Sequence, residues 1–190
     1  MGTAVVTGAN RGIGLAIVRQ LRARGRSVVA VCRRGTAELA DLGVRVESGI
    51  DLVTSQAPAE LAARLAHDEI DLLVHNAGLL AEDRLDSVSP AAVRSQLEIN
   101  ALAPLFLTQA LAPRLVQGAK VALITSRMGS IGDNHSGGYY GYRMSKAALN
   151  AAGMSMARDL ASRGIAVVML HPGAVRTGMT RGQGALEPED

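Results

Sequence analysis

Six short runs rich in β-branched and aliphatic residues recur along the chain with helix-like segments between them. They fall at Ala4 to Thr7, Ser27 to Val31, Val44 to Val46, Ile70 to Val74, Val121 to Thr125 and Ile165 to Leu170. This alternation constrains the fold more than any single motif, because strands separated by helices join as parallel neighbours through crossover connections. The runs are mostly continuous Val, Ile, Leu and Ala rather than apolar/polar alternation, as expected of parallel strands covered on both faces. A doubly wound parallel sheet in a three-layer α/β/α arrangement follows.

The helices between the runs have their own signals. Ile13, Ile17, Val18 and Leu21 mark one helical face, and Gly25 suits a left-handed position just past its end. Ser89-Pro90 should open a later helix, with Ser capping free N–H groups and Pro losing no donor in the first turn. Its expected apolar face includes Val93 and Leu97. The Ala-, Met- and Leu-rich stretch from Tyr140 to Ala161, with Gly164 beyond it, predicts a helix before the last run.

At 190 residues and 48% hydrophobic composition, the chain can bury a sizeable core, and no linker-like stretch, charge block or repeat divides it. One domain spanning 1–190 is expected. The net charge of +3 and the cluster Arg22, Arg24, Arg26, Arg33 and Arg34 raise the question of nucleic acid. Trp is absent and Phe106 is the only Phe, so the stacking platforms that single-strand binding uses are missing. No nucleic-acid partner is expected. The lone Cys32 allows no internal disulfide, and Met1 leads directly into Thr3-Ala4-Val5-Val6, which reads as cytoplasmic. The apolar stretch from Ala101 to Ala112 is too short for a membrane span and is interrupted by Pro104 and Gln109. No His/Cys/carboxylate cluster suggests a metal. Cys32, Met144, Met154 and Met156 read as packing groups.

After the first run comes Thr7-Gly8-Ala9-Asn10-Arg11-Gly12-Ile13-Gly14. Glycines here permit a sharp turn and a close approach to a ligand, and the helix that follows presents free N–H groups and partial positive charge to a pyrophosphate. Gly8, Asn10, Arg11, Gly12, Ile13 and Gly14 are the expected dinucleotide contacts. Their spacing differs from G-x-G-x-x-G, and a plain strand-to-helix turn is the alternative. The end of the second run, where an NAD site places a carboxylate, holds Cys32-Arg33-Arg34 instead. Guanidinium groups suit a 2′-phosphate, with Arg33 the favoured partner, so NADP(H) is expected and NAD(H) stays open as the second choice. Asp51 and Leu52 stand where they could meet adenine, or could form an ordinary turn.

Tyr142 and Lys146 are four residues apart and so share a helical face. A phenol is a poor base near neutrality, and a neighbouring cation would favour its ionised form. Ser126, just after the fifth run, could hold a substrate oxygen.

Thr7-Gly8 with Gly12 and Gly14, Asn76-Ala77-Gly78, Asn100, Ser126, and Tyr142 with Lys146 occur in an order that resembles the short-chain dehydrogenase/reductase family over nearly the whole chain. Tyr139-Tyr140-Gly141-Tyr142-Arg143 and the long Ser126-to-Tyr142 segment resemble the carbonyl-reductase-like branch that includes C-factor and Sniffer proteins. The resemblance implies a Rossmann-type fold. It implies that Tyr142, rather than Tyr139 or Tyr140, is the acid/base, that Ser126 polarises the substrate oxygen, and that Lys146 binds nicotinamide ribose and lowers the phenol's pKa. It further implies that Asn100 supports a water-linked proton relay to Lys146. Pro104, four residues later, cannot donate to the Asn100 carbonyl, which predicts a local kink there.

Asn76, Ala77 and Gly78 are implied as cofactor contacts, with His75 replacing an Asn often found in the family and read as structural. Pro172, Gly173, Val175 and Thr177 resemble the segment that meets the nicotinamide carboxamide. Family chains continue through a further substrate-binding segment, helix and strand, so the fold is expected to lack the final strand and helix. Part of the substrate wall is then expected to be absent, truncated or contributed by a partner chain. The expected activity is hydride transfer between NADP(H) and a small-molecule carbonyl or alcohol. An NADP-binding signalling or regulatory protein with little turnover is the alternative. The resemblance also implies a homo-oligomer, a dimer before a tetramer.

If Arg33 grips the 2′-phosphate, Arg33→Ala should weaken NADPH binding about tenfold or more and leave NADH within about twofold, as expected for loss of a charge-assisted contact. Fluorescence titration with both nucleotides checks this, and equal losses would reject the assignment.

Overall fold

The structure, a computed structural model, describes residues 2–190. Its elements follow the predicted alternation: β1 (Thr3–Thr7), α1 (Gly12–Ala23), β2 (Ser27–Val31), α2 (Ala37–Asp41), β3 (Arg45–Glu47), α3 (Ala57–Arg64) and β4 (Ile70–His75). The second half comprises α4 (Pro90–Leu97), α5 (Ala103–Leu111), β5 (Leu115–Ile124), α6 (Tyr140–Asp159) and β6 (Ala166–Leu170). All six expected strands are present and every pairing between them is parallel. The fifth begins earlier than its Val121 expectation, because Leu115 pairs with Ile70 before the register shifts ahead of Leu72 and Lys120.

The sheet order is β3-β2-β1-β4-β5-β6. The chain winds outward from β1 to β3, returns across the sheet, and winds outward again from β4. Such a reversal leaves a crevice at the carboxyl ends of β1 and β4, where connecting loops part to opposite sides. Topology alone thus selects the edge at which a ligand can bind.

Two apolar layers clothe the sheet. On one face Val5, Leu73, Val121 and Leu123 pack with Leu61 of α3, Leu107 and Leu111 of α5, and Leu149 and Met156 of α6. On the other, Ala4, Val6, Val28 and Ala30 pack with Leu15 and Val18 of α1 and Leu39 of α2. Cys32 lies in this second layer, buried and unpaired, as a packing group, and Met156 packs in the first, whereas Met144 and Met154 are exposed on α6 and are not the packing groups expected. β6 is an edge strand, and its Val168 and Leu170 remain 39% and 46% exposed.

Local signals act where expected. Gly25 is left-handed at φ +72°, and the Ser89 side chain accepts the Ala92 N–H at the start of α4. The buried face of α4 differs from expectation: Gln96 is fully buried, whereas Val93 and Leu97 are half-buried. A buried amide is tolerated because its hydrogen bonds are made; Gln96 accepts from Ala81 N–H at 2.9 Å and donates to the Ala92 carbonyl at 3.3 Å.

The kink predicted from Pro104 takes the form of a π turn over Glu98–Leu102, in which the Ala103 N–H reaches back to the Glu98 carbonyl. Proline's missing donor makes this wider turn favourable. It aims Asn100, which is wholly buried, at the segment following β4. Among the described residues, no helix is long and apolar enough to cross a membrane, and no group of three or more potential metal ligands is found.

Candidate active site

The carboxyl ends of β1 and β4 are laced together by two side chains. Thr7 Oγ1 accepts from the N–H groups of both Asn76 and Ala77 at 3.1 Å and donates to the Val74 carbonyl at 3.4 Å. The Asn76 amide donates to the Thr7 and Gly8 carbonyls, each at 3.1 Å. The glycine turn is therefore fastened to the loop after β4.

That fastening explains the glycines. A Cβ on Gly14 would lie 2.3 Å from the Gly8 carbonyl oxygen and 2.4 Å from Asn76 Nδ2, and one on Gly8 would lie 2.7 Å from Ala77 Cα. Gly8 and Gly12 are also left-handed, at φ +64° and +52°, where a side chain is strained. Asn10 donates across the turn to the Arg34 carbonyl at 3.1 Å, joining it to the end of β2.

At the start of α1, Arg11 provides no side-chain cap and the first turn has no acidic residue. The helix thus directs unneutralised N–H groups and its positive end into the turn. Half-buried Ile13 lies in that first turn. Arg33 and Arg34 are exposed beyond β2, and neither forms an ion pair among the described residues. Asp51 and Leu52 are half-buried after β3, with Asp51 Oδ1 accepting from Val53 N–H in a local turn. These features fit an anionic dinucleotide: an uncapped helix terminus, a backbone cradle that side chains would fill, and free guanidinium groups beyond it.

The second half of the site stands on β5 and α6. Ser126 follows β5, is half-buried, and accepts from Met128 N–H at 3.1 Å. Tyr142 and Lys146 are 8% and 5% exposed. Burial raises the phenol above its ordinary pKa, and the Ser126 hydroxyl offsets part of that rise as a hydrogen-bond partner. This differs from the expectation that Lys146 lowers the phenol. The Lys146 ammonium instead donates to the Ile124 carbonyl at 2.8 Å and stands 5.7 Å from the Tyr142 ring centroid. Burial brings the Lys146 pKa itself down to about 8.

Asn100 Nδ2 donates to Ser145 Oγ at 2.9 Å and to the Leu79 carbonyl at 2.8 Å, while its Oδ1 accepts from Leu79 N–H at 2.8 Å. Its side chain therefore couples α6 to the segment beyond Gly78. His75 is buried and pairs with Thr108 Oγ1 at 2.9 Å; burial lowers its pKa to about 3, consistent with a neutral structural residue.

After β6, Pro172 and Gly173 lead to Val175, which is buried and bridges to Leu186. The Thr177 methyl lies 3.2 Å from the position a Gly12 Cβ would take, so this segment meets the glycine turn. A cavity of 290 Å³ lies beside Arg11, Gly78, Met179 and Arg181.

Sequence reasoning missed Gly129, whose Cβ would lie 2.8 Å from the Lys146 carbonyl carbon and 2.9 Å from its oxygen. The missing side chain lets the turn carrying Ser126 press against α6. The only sequence signal was a glycine three residues after Ser126.

The chain belongs to the short-chain dehydrogenase family, whose model matches residues 2–187. It is 44% identical over 183 residues to 1-hydroxy-2-glutathionyl-2-methyl-3-butene dehydrogenase from Rhodococcus sp. strain AD45, covering 95% of this chain and 81% of that protein. Its fold is similar to that of a short-chain dehydrogenase/reductase from Burkholderia multivorans with bound NADP: TM-score 0.91, 33% identity, 99% of this chain and 86% of the other. It is also similar to the carbonyl reductase Sniffer of D. melanogaster, with a TM-score of 0.90 and 31% identity over 100% of this chain and 87% of that one. The Rossmann-like architecture and the resemblance to the carbonyl-reductase branch agree with these likenesses.

Gly129→Ala should lower turnover by about tenfold or more while changing NADPH affinity less than about twofold, because a displacement on the order of 1 Å at reacting groups is costly to rate. Steady-state kinetics beside nucleotide titration measure both. Unchanged turnover would contradict the close-approach role of Gly129.

Proposed function

We propose that this chain is an NADP(H)-dependent carbonyl reductase or alcohol dehydrogenase. The observation that carries the reading is the placement of Ser126, Tyr142 and Lys146 at the same sheet edge as a side-chain-free cradle. In this reading Gly8, Asn10, Arg11, Gly12, Ile13 and Gly14 form the pyrophosphate turn. Arg33 binds the 2′-phosphate, Asp51 and Leu52 meet adenine, and Asn76, Ala77 and Gly78 line the path toward nicotinamide. Pro172, Gly173, Val175 and Thr177 contact the carboxamide. Bound NADP(H) supplies or accepts hydride at the substrate carbon.

The protein's own groups manage the oxygen. Ser126 donates a hydrogen bond to the carbonyl and orients it, while Tyr142 gives its phenolic proton as charge develops there. A phenol is protonated at neutral pH and burial reinforces that state for Tyr142, which suits it to act as an acid in the reducing direction. Lys146 holds nicotinamide ribose and restores the proton through water near Asn100. The glutathionyl alcohol named for the Rhodococcus relative is a first compound to try in oxidation. Phe106, Met144 and Met154, exposed on α5 and α6, support a homodimer through those helices. The lone buried Cys32 is compatible with work in the cytoplasm.

Tyr142→Phe should reduce turnover by about 10²- to 10⁴-fold, the usual worth of general acid catalysis, and leave NADPH binding within about twofold. Paired kinetics and titration check this. Retained turnover would reject Tyr142 as the proton donor.

A further inference from the structure

The segment 79–83 leaves the cofactor side of the site and runs past α4 to the beginning of α6. Side chains fasten it at alternate residues. Asn100 holds both backbone groups of Leu79, and fully buried Gln96 accepts the Ala81 N–H. The third fastening runs the other way, from Asp83 to α6. Asp83 Oδ1 accepts from Tyr140 N–H at 2.6 Å, its Oδ2 from Gly141 N–H at 3.3 Å, and its carbonyl from Tyr139 N–H at 3.0 Å.

Three successive N–H groups at the start of α6 therefore end on one residue from a distant part of the chain. The helix has no local substitute: Tyr139, its N-cap residue, makes no side-chain cap and is left-handed at φ +54°, a conformation that a non-glycine residue keeps only when its surroundings impose it. A carboxylate at this position satisfies free donors and opposes the positive helix end. Gly141 then lies close to Gln96, where a Cβ would be 2.3 Å from its amide nitrogen and 3.1 Å from Val93 Cα. Tyr142 is the next residue.

We propose that Asp83 is a positioning residue for Tyr142: borne on the segment that leaves the cofactor side, its carboxylate fixes the first turn of α6 and so sets where the phenol stands relative to Ser126. The inference rests on Tyr142 being the proton donor proposed above. It assigns Asp83 no contact with substrate or nucleotide. Its effect is to keep the acid aligned with the segment from which the cofactor wall begins, so that the two halves of the site move together.

The test compares wild type, Asp83→Ala, Asp83→Asn and Tyr142→Phe as full chains. Ultraviolet titration of the phenols, with Tyr142→Phe subtracted, isolates Tyr142 without any substrate. Asp83→Ala should move the Tyr142 midpoint down toward the ordinary phenol range, because the helix start opens to water and the burial that raises the phenol is relieved. Asp83→Asn, which keeps one acceptor oxygen, should lie between Ala and wild type.

With the best aldehyde, ketone or quinone of the wild type, kcat should fall about tenfold or more in Asp83→Ala, recover partly in Asp83→Asn, and leave the NADPH KM within about twofold. An unchanged midpoint and kcat in Asp83→Ala would overturn the proposal. So would equal losses of kcat and NADPH affinity in Ala and Asn variants, the signature of general loosening. Turnover lost in Tyr142→Phe but kept in Asp83→Ala rejects the positioning role alone; turnover kept in Tyr142→Phe rejects the proton-donor reading and the inference with it.

Discussion

The hydroxyl of Thr7 and the amide of Asn76 together join the ends of β1 and β4 at the point where the sheet reverses its winding. Two strands distant in sequence must meet there with their outgoing loops on different sides, leaving backbone polar groups that need partners. Thr7 uses its hydroxyl as both donor and acceptor, and Asn76 spans two carbonyls of the glycine turn. The path of that turn depends on the same contacts, because the clasp occupies the space that side chains at Gly8 and Gly14 would require. The uncapped start of α1 is consequently held against the loop after β4 rather than left as a free surface terminus.

The other half of the site depends on how closely α6 can approach the remaining elements. Gly129 and Gly141 give up side-chain volume at its contacts with the Ser126 turn and α4, and Gly153 does so where α6 meets Leu123 and Met169. The π turn before Pro104 adds Asn100, whose amide links α6 to Leu79. Tight packing has an electrostatic consequence. It removes water from Tyr142 and Lys146, favouring the neutral form of each, so the phenol rises and the ammonium falls toward about 8. Two groups that are nearly matched in acidity in water are thereby moved apart, and the ammonium becomes the more acidic of the pair.

Much of this organisation was legible in the sequence because it is local. Continuous aliphatic runs marked the strands, Ser89-Pro90 marked a helix start, and Pro104 announced a departure from α-helical hydrogen bonding that the structure realises as a π turn. The order of Thr7, the glycines, Asn76, Ser126, Tyr142 and Lys146 marked out the candidate site along the chain, and the fold brings those segments to the carboxyl ends of the strands. The lacing between its parts was not legible. Gln96 sits at a position that looks polar and solvent-facing, yet it is buried because Ala81, fifteen residues earlier, supplies a partner. Asp83 reads as an ordinary loop acid until α6, 57 residues beyond it, is placed against its carboxylate. The same difficulty affects Lys146: helical spacing correctly put it beside Tyr142, but could not show that its ammonium reaches the end of β5 or that burial, with Ser126 as a partner, governs the phenol.

The most direct test of the account is titration of the purified chain with NADPH and NADH, followed in the same samples by nucleotide oxidation with a panel of aldehydes, ketones and quinones. The account predicts tighter binding of NADPH than NADH and substrate-dependent oxidation of the bound nucleotide. Failure to bind either nucleotide would contradict its central claim, and tight NADPH binding without turnover across the panel would contradict the proposed reductase activity.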